Sequence, residues 1–339
     1  MVVTDDELAA RVDTVITQSR LSGVVRVDRG AQIVLERAAG WAHRAYAIPM
    51  TSQTRLAMAS GSKGLTAVTV LSLASDGTLP LATRARELLG ADLPLVDDRV
   101  TVEHLLAHRS GIGDYLDESD AAPIDDHVLA VPVHTLADSE DYLSVLDGHP
   151  QIFGPGERFE YNDAGFVILA VLAERAAGMA FADLVRQRVC GPAGMTDTEY
   201  LRSDALPERT ALGYLDPQGD RSNVLHLPVR GSGDGGAYTT VADVRRLWTA
   251  LRDGVVLDRA TIRLAWQPRS DGPSGRFRYG LGFWLHAAGP GVMLEGYDAG
   301  VSFRTAFDPA TDTTYTGIAN WSDGAWPLAK ALDHDLFGI

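Results

Sequence analysis

Ser60 and Lys63, within the stretch "MASGSKGLTAV", are the two residues whose types and spacing most directly permit catalysis. They stand at the start of a helix predicted from about Gly61 to Asp76, so the i, i+3 spacing places both side chains on one helix face. A serine hydroxyl becomes a nucleophile when a base removes its proton, and a lysine with a lowered pKa can be that base. A helix-start serine beside a solvated lysine is the alternative interpretation.

The use of lysine elsewhere in the chain favours the first interpretation. The chain has 30 basic residues, and Lys63 and Lys330 are its only lysines. Arginine does not release its proton in a protein, whereas a buried lysine can do so. A chain that otherwise uses arginine therefore keeps, beside a serine, the one basic residue type suited to proton transfer.

Tyr161 and Asp163 form a second candidate pair, in "PGERFEYNDAGFVILA". Tyr161 falls just before an apolar helix, and a tyrosine held near Lys63 can share or relay the serine proton. The alternative is a structural role, with Asp163 as the N-cap of that helix and Tyr161 as a packed ring.

Three weaker signals point to other chemistry. Gly231, Gly233 and Gly236 match a G-x-G-x-x-G pattern, but no run of βαβ units surrounds them, so a loop beside the cleft is predicted instead of a nucleotide site. His104 and His108 have the i, i+4 spacing of metal ligands without an evident third ligand. Cys190 is expected to be a small buried residue. We therefore expect no metal and no organic cofactor.

The order of elements predicts an α+β fold. Two strands come first, a helical middle follows, and three or four strands and a helix close the chain, which favours one antiparallel sheet built from both chain ends and flanked by helices. We expect a single domain over residues 1–339 with two lobes and a cleft between them. The predicted lobes comprise an α/β lobe at about 1–58 plus 278–339 and a mostly helical lobe at about 59–277.

Composition excludes some partners. The net charge of −15 disfavours nucleic acid, which requires a basic surface. Acidic residues are concentrated between Asp114 and Asp147. This segment is either a solvated surface loop or an acidic rim that repels anionic substrates. No stretch has the apolar length of a membrane span, and the first residues lack the pattern of a secretion signal. With a single cysteine, these features predict a cytoplasmic protein that does not bind membranes.

The order of these motifs resembles the serine β-lactamase and penicillin-binding-protein superfamily, and most closely its class C β-lactamase, D,D-peptidase and esterase branch. The resemblance rests on S-x-x-K at Ser60, on Tyr161-Asn162-Asp163 about a hundred residues later, and on a strand motif in "VMLEGYDAG". It runs from about residue 5 to the end of the chain. Further matching stretches are "TVEHLLAHRSGIGDY", "FGPGERFEYNDAGFVILA", "GDGGAYTTVADVRRL" and "YGLGFWL".

The resemblance implies a β-lactamase-like fold and a set of roles. Ser60 would be the acylated nucleophile, Lys63 its proton acceptor, and Tyr161 the group that passes the proton to the leaving group. The oxyanion hole would combine the backbone N–H of Ser60 with the strand near Gly296 and Tyr297. Donors of this kind are typically worth roughly 3 kcal/mol each in the transition state.

Two positions depart from the family pattern. Asp163 stands where asparagine is usual, so it donates no amide N–H to a substrate. Its negative charge is expected to raise the pKa of Lys63. Asn162 can supply the missing amide only if the turn is rearranged. Leu294 and Glu295 stand where a cation or imidazole normally helps to hold a substrate carboxylate. Arg304, on the next strand, is a candidate replacement for that cation.

These observations predict a serine hydrolase that forms an acyl-enzyme on a small ester or amide, with neutral or cationic substrates favoured over a carboxylate-bearing β-lactam. A β-lactamase or D,D-peptidase proper is the alternative within the same class. A non-catalytic binding protein on the same scaffold is the alternative outside it, and a nucleotide-binding enzyme is the weakest. The sequence leaves the physiological substrate and the oligomeric state open.

Overall fold

The central feature of the fold is an eight-stranded antiparallel sheet with the order β2-β1-β12-β11-β10-β9-β8-β7. The computed structural model describes residues 4–116 and 123–339. Two further pairs of short strands, β3 with β4 and β5 with β6, lie outside the sheet. The strands are β1 (Gly23–Arg29), β2 (Gln32–Ala39), β3 (Trp41–His43), β4 (Ile48–Pro49), β5 (Leu56–Ala57), β6 (Tyr238–Thr239), β7 (Ser270–Asp271), β8 (Phe277–Tyr279), β9 (Trp284–His286), β10 (Val292–Asp298), β11 (Val301–Asp308) and β12 (Thr313–Ala319).

Helices occupy most of the chain between the two groups of strands. They are α1 (Asp5–Ser19), α2 (Lys63–Ser75), α3 (Ala85–Leu89), α4 (Val102–Leu106), α5 (Leu143–Leu146), α6 (Asp163–Ala177), α7 (Phe181–Val185), α8 (Gly191–Ala193), α9 (Val241–Asp253), α10 (Arg259–Ala265) and α11 (Trp326–Leu332). Short 3₁₀ turns cover Ala59–Ser62, Ile124–Asp126, Val133–Thr135 and Ser139–Tyr142, and π-helical turns cover Arg186–Cys190 and Asp333–Phe337.

The two chain ends meet in the middle of the sheet. Strand β1 pairs antiparallel with β12, from Gly23 opposite Ala319 to Arg29 opposite Thr313, and β2 folds back on β1 after Gly30, where φ is +56°. This confirms the predicted α+β fold with one antiparallel sheet built from both ends. Strand β7 was not predicted, and the predicted lobe boundary at 278 falls within β8. The division into two lobes stays a prediction.

Strand alternation gives the sheet two buried faces. On one face, Phe303 and Phe307 of β11 join the large core formed with the helical middle of the chain. On the other face, Ala306 packs in a second core with Leu8 of α1 and Leu328 of α11. Residues next to each other on β11 therefore face different layers, and this alternation decides which side chains reach the site described below.

Local signals explain the starts of α1 and α2. Thr4 and Glu7 form the predicted capping box of α1. Helix α2 begins at Lys63, two residues later than predicted, because the 3₁₀ turn Ala59–Ser62 precedes it. Within that turn Ala59 has φ of +42°, a left-handed conformation that costs a residue with a side chain roughly 1 kcal/mol or more.

No single helix in residues 4–116 and 123–339 is long and apolar enough to cross a membrane. The two segments Asp163–Ala177 and Phe181–Ala193 pass that test only as a pair, and they are bent by 82° relative to each other.

Candidate active site

The side chain of Lys63 connects three parts of the chain. Its Nζ donates hydrogen bonds to Ser60 Oγ (2.9 Å), to Asp163 Oδ1 (2.5 Å) and to the backbone carbonyl of Asp234 (2.8 Å). Lys63 is 2% exposed, so these three acceptors take the place of water. An ammonium has three N–H donors, and each has a partner here. The structure thus brings Ser60, Lys63 and Asp163 together, as the sequence predicted.

The charge of Lys63 follows from the same contacts. Burial by itself lowers the pKa of this amine, but the negative charges of Asp163, Tyr161 and Asp234 oppose burial and prevail. The pKa of Lys63 is therefore raised well above its usual value, in the direction expected from Asp163. Lys63 is a fixed cation at neutral pH, and this does not favour the role of proton acceptor that the resemblance implied for it.

Ser60 is held in place by the 3₁₀ turn and by the side chain of Ser62. The Ser62 hydroxyl donates to the carbonyl of Ala59 (2.8 Å) and accepts from the backbone N–H of Ala237 (3.0 Å), so it ties the turn to the start of β6. The left-handed Ala59 immediately precedes Ser60. Strained backbone of this kind is common at functional sites.

Tyr161 lies against Lys63 and between two other rings. The Lys63 Nζ is 5.0 Å from the centroid of the Tyr161 ring. The Tyr161 ring lies 4.4 Å from the ring of His108 and stacks on Trp284 at 6.1 Å with an interplanar angle of 9°. The predicted neighbourhood of Tyr161 and Lys63 is therefore present, and the aromatic contacts fix the orientation of the phenol ring.

His108 is a buried neutral base of this cluster, not a metal ligand. Its Nδ1 accepts the backbone N–H of Asn162 (3.1 Å), which places the proton on Nε2 in the neutral ring. Burial and the nearby Lys63 hold the pKa of His108 well below its usual range. His108 lies beyond the end of α4 with φ of +52°, so it does not share a helix face with His104.

The start of α6 is organised by two side chains. Asn162 is the N-cap: its Oδ1 accepts from Gly165 N–H (2.7 Å), and its Nδ2 donates to the carbonyl of Ile112 (3.1 Å). Its amide is thus engaged away from Ser60 and does not replace the missing asparagine at position 163. Asp114 accepts the N–H groups of Asp163 (2.6 Å) and Ala164 (3.0 Å). Burial first, then the charge of Asp163, raises the pKa of Asp114 to about 8.

Strand β10 forms the wall opposite α6. It pairs with β9 only at Val292 and Met293, so among the described strands none pairs with its second edge from Leu294 onward. Leu294 is buried against α2, where a Cβ added to Gly64 would meet its side chain at 2.5 Å. At Gly296 an added Cβ would lie 2.1 Å from the carbonyl oxygen of Met58. Gly296 therefore permits the close approach of β10 to the turn that holds Ser60.

Arg304 lies on the other face of the sheet. It stands opposite Glu295 in the β10–β11 ladder, and its guanidinium pairs with the carboxylates of Glu295 (2.7 Å) and Asp333 (3.6 Å). The neighbouring Phe303 contacts the Ser60 turn at Gly61, so alternation directs Arg304 away from it. Arg304 is not among the described residues that line the spaces next to Ser60, but its partner Glu295 lies at the edge of one of them, so the role of substitute cation stays a prediction.

Two spaces open next to Ser60. A small cavity of about 70 Å³ has Ser60, Tyr115, Asp163, Asp234 and Asp298 in its wall. An open groove of about 480 Å³ lies between Ser60 and the aromatic rings of Tyr161, Trp284, Tyr297 and Trp326, with Glu295 at its edge. One side of Ser60 is thus acidic, and the other is aromatic and has the larger space.

The glycine-rich stretch contributes to the cavity. Gly231, Asp234, Gly235 and Gly236 line it, in a loop that ends at β6, while α9 begins only after Thr240. The prediction that the glycine-rich stretch forms a loop is therefore confirmed. Cys190 is buried, and burial raises the pKa of its thiol to about 12. Within residues 4–116 and 123–339, no group of three or more histidine, cysteine, aspartate or glutamate side chains is arranged to hold a metal ion.

Four residues of this site were not identified from sequence: Asp114, Asp234, Asp298 and His108. The first belongs to the acidic segment that was interpreted as a solvated loop or a rim; instead Asp114 caps α6 beside Asp163. Residues 117–122 of that segment lie outside the described residues. Asp234 lies in a glycine-containing loop and Asp298 is the last residue of β10, and only their proximity to the predicted motifs offered a signal.

Comparison with known proteins agrees with this geometry. The sequence model of the family described as Beta-lactamase matches residues 6–337. Esterase EstB of Burkholderia gladioli is 32% identical over 72% of this chain and 70% of its own length, and D-aminopeptidase of Brucella anthropi is 29% identical over 94% of this chain and 59% of its own. The crystal structure of a penicillin binding protein from Bacillus halodurans superposes with a TM-score of 0.89 and 34% identity, covering 95% of this chain and 99% of that one.

The chain belongs to the Beta-lactamase family. It has the fold of that family and is a serine hydrolase.

Proposed function

We propose that the protein hydrolyses a small ester or amide through an acyl-enzyme on Ser60. The observation that supports this most directly is the contact of the buried Lys63 ammonium with Ser60 Oγ at 2.9 Å. Within the family, one relative is named an esterase and another a D-aminopeptidase, which brings both ester and amide carbonyls into consideration.

The proposed reaction assigns the proton of Ser60 to Tyr161. Tyr161 enters the step as a phenolate beside the Lys63 ammonium. Ser60 Oγ attacks the carbonyl carbon and its proton moves to that phenolate. The resulting phenol then gives the proton to the departing alcohol or amine as the scissile bond breaks. Lys63, kept as an ammonium by Asp163, stabilises negative charge on both oxygens. Water then attacks the acyl-serine ester, which releases the acid and restores Ser60.

Backbone donors complete the proposed site. The N–H groups of Ser60 and Tyr297 are the candidates for the oxyanion hole, since Gly296 brings β10 against the turn that carries Ser60. Leu294 and Glu295 supply no cation at the position where a substrate carboxylate would be held. We therefore favour neutral or cationic substrates over β-lactams.

Covalent labelling tests the proposal. The protein is incubated with a fluorophosphonate and, separately, with a fluorescent penicillin, and the intact mass is measured, with Ser60→Ala as the test variant and the exposed Ser144→Ala as the matched control. We expect a fluorophosphonate adduct that is lost only in Ser60→Ala, with little penicillin adduct. Labelling by both reagents at similar rates would favour a β-lactamase or D,D-peptidase. Labelling by neither would favour a non-catalytic binding protein.

A further inference from the structure

The cavity of about 70 Å³ next to Ser60 has an unusual balance of charge. Three carboxylates, those of Asp163, Asp234 and Asp298, lie in its wall together with the imidazoles of His127 and His226. No lysine or arginine is among the described residues of that wall. The charges that act most strongly on Asp298 include those of Asp163, Asp234 and Lys63.

Lys63 has no N–H left for these carboxylates. Its three donors already reach Ser60, Asp163 Oδ1 and the carbonyl of Asp234. Asp163 is 2% exposed, and its second oxygen, Oδ2, has no hydrogen-bond partner among the described residues. A buried carboxylate oxygen without a donor is costly, so its presence in the wall of a cavity points to a donor that arrives with a ligand.

The other two carboxylates also retain free acceptor capacity. Within residues 4–116 and 123–339, the side chain of Asp234 accepts one hydrogen bond, from the hydroxyl of Tyr115 at 2.5 Å, and that of Asp298 accepts one, from the N–H of Ala299 at 2.8 Å. An ionised carboxylate has about four acceptor positions. The cavity has room for several water-sized groups, which is enough for an ammonium and the carbon that carries it.

We propose that this cavity binds a protonated primary amine of the substrate, held by Asp163, Asp234 and Asp298 while the adjacent carbonyl lies at Ser60. An ammonium has three donors and one positive charge, which match the free acceptors and the unbalanced negative charge of the wall. The aromatic groove on the opposite side of Ser60 then receives the leaving group. The substrate class is an α-amino ester or α-amino amide, and this assignment rests on the proposed function.

The protonation of the empty cavity agrees with this assignment. Burial, followed by the charges of Asp163 and Asp234, raises the pKa of Asp298 to about 7. Burial also raises the pKa of Asp234. An ammonium that enters the cavity would favour the ionised form of both carboxyl groups and so oppose these shifts.

A matched pair of substrates tests the assignment. Alanine p-nitroanilide, in both enantiomers, and isobutyryl p-nitroanilide have nearly the same shape and differ in whether an ammonium or a methyl group is on the α-carbon. At pH 7.0 most of the α-amine is protonated. We expect kcat/KM to be at least tenfold higher for one alanine enantiomer than for the isobutyryl compound. We expect Asp298→Asn and Asp234→Asn to reduce that ratio at least fivefold, and the exposed Asp6→Asn to leave it unchanged.

A binding measurement separates failure of this assignment from failure of the proposed function. Calorimetric titration of Ser60→Ala with alaninamide and with isobutyramide requires no turnover, and we expect alaninamide to bind at least tenfold more tightly. If fluorophosphonate labels Ser60 but neither assay distinguishes the amine from its isostere, the amine site is wrong and the hydrolase stands. If Ser60 is not labelled but alaninamide still binds selectively, the proposed function is wrong and the amine site stands.

Discussion

The ammonium of Lys63 lies 2.5 Å from a carboxylate oxygen of Asp163, and each side chain is only 3% exposed. This ion pair is the main chemical difference between the site and the family pattern, because asparagine is usual at the position of Asp163. A buried ion pair is not in itself a large source of stability. Its effect here is to fix the charge of the residue that contacts the nucleophile.

Replacement of Asp163 tests that effect. Asp163 raises the pKa of Lys63, so Asp163→Asn lowers it, and Lys63 loses its proton at a lower pH. If the ammonium form is the active one, the alkaline limb of kcat/KM against pH moves to lower pH by at least about one unit. The profile is measured with a p-nitrophenyl ester. Higher activity at neutral pH, with the ascending limb shifted instead, would show that Lys63 is the base after all.

The titration of Asp114 should contribute to the way folding stability changes with pH. Its pKa is raised in the folded protein to about 8, so the folded state holds a proton that the unfolded chain has already released between about pH 4 and pH 8. The contribution of Asp114 to the free energy of unfolding is therefore largest at low pH and is lost as the pH rises through that window. We expect Tm to fall less steeply from pH 5 to pH 8.5 in Asp114→Asn than in the wild type. Parallel curves for the two proteins would contradict the assignment.

A pair of glycine variants tests how Ser60 is positioned. In Gly296→Ala the new Cβ meets the backbone oxygen of Met58 at 2.1 Å, so β10 and the turn that carries Ser60 must separate. We expect phosphonylation of Ser60 by a fluorophosphonate to slow by at least about 100-fold. Gly317→Ala in β12 is the control, because an added Cβ there has no atom within 4 Å. Its free energy of unfolding should change by less than about 1 kcal/mol.

Arg304 is expected to contribute to stability and not to substrate binding. Arg304→Gln leaves Glu295 and Asp333 without their cation in a largely buried place, where loss of one ion-pair partner costs about 3 kcal/mol. Denaturant unfolding measures this loss. The KM for a carboxylate-bearing ester should stay within about twofold of the wild-type value. A large rise in KM confined to the anionic substrate would restore Arg304 as the substitute for the missing cation.

The sequence predicted the sheet and the motif residues well because those signals are local. Alternation in "GVVRVDR" and the β-branched and aromatic residues of "TTYTGIA" identify strands, and the S-x-x-K spacing needs only one helix turn. It did not predict Ala59 in the left-handed region or His108 packed on Tyr161, because both depend on contacts between segments far apart in the chain. The acidic cavity was missed for the same reason: Asp163, Asp234 and Asp298 come from three separate segments that only the fold brings together.

The pairing of β1 with β12 also determines when, during synthesis, the sheet can be completed. Residues 23–29 leave the ribosome before the helical middle of the chain, whereas their partner strand, residues 313–319, is made only after it. Until it arrives, one edge of the first hairpin is unpaired, and exposed edges of this kind promote aggregation. Contacts between such distant segments also form slowly. The catalytic turn therefore precedes in synthesis the strand β10 that must close on it, so a nascent chain carries Ser60 long before it carries a working site.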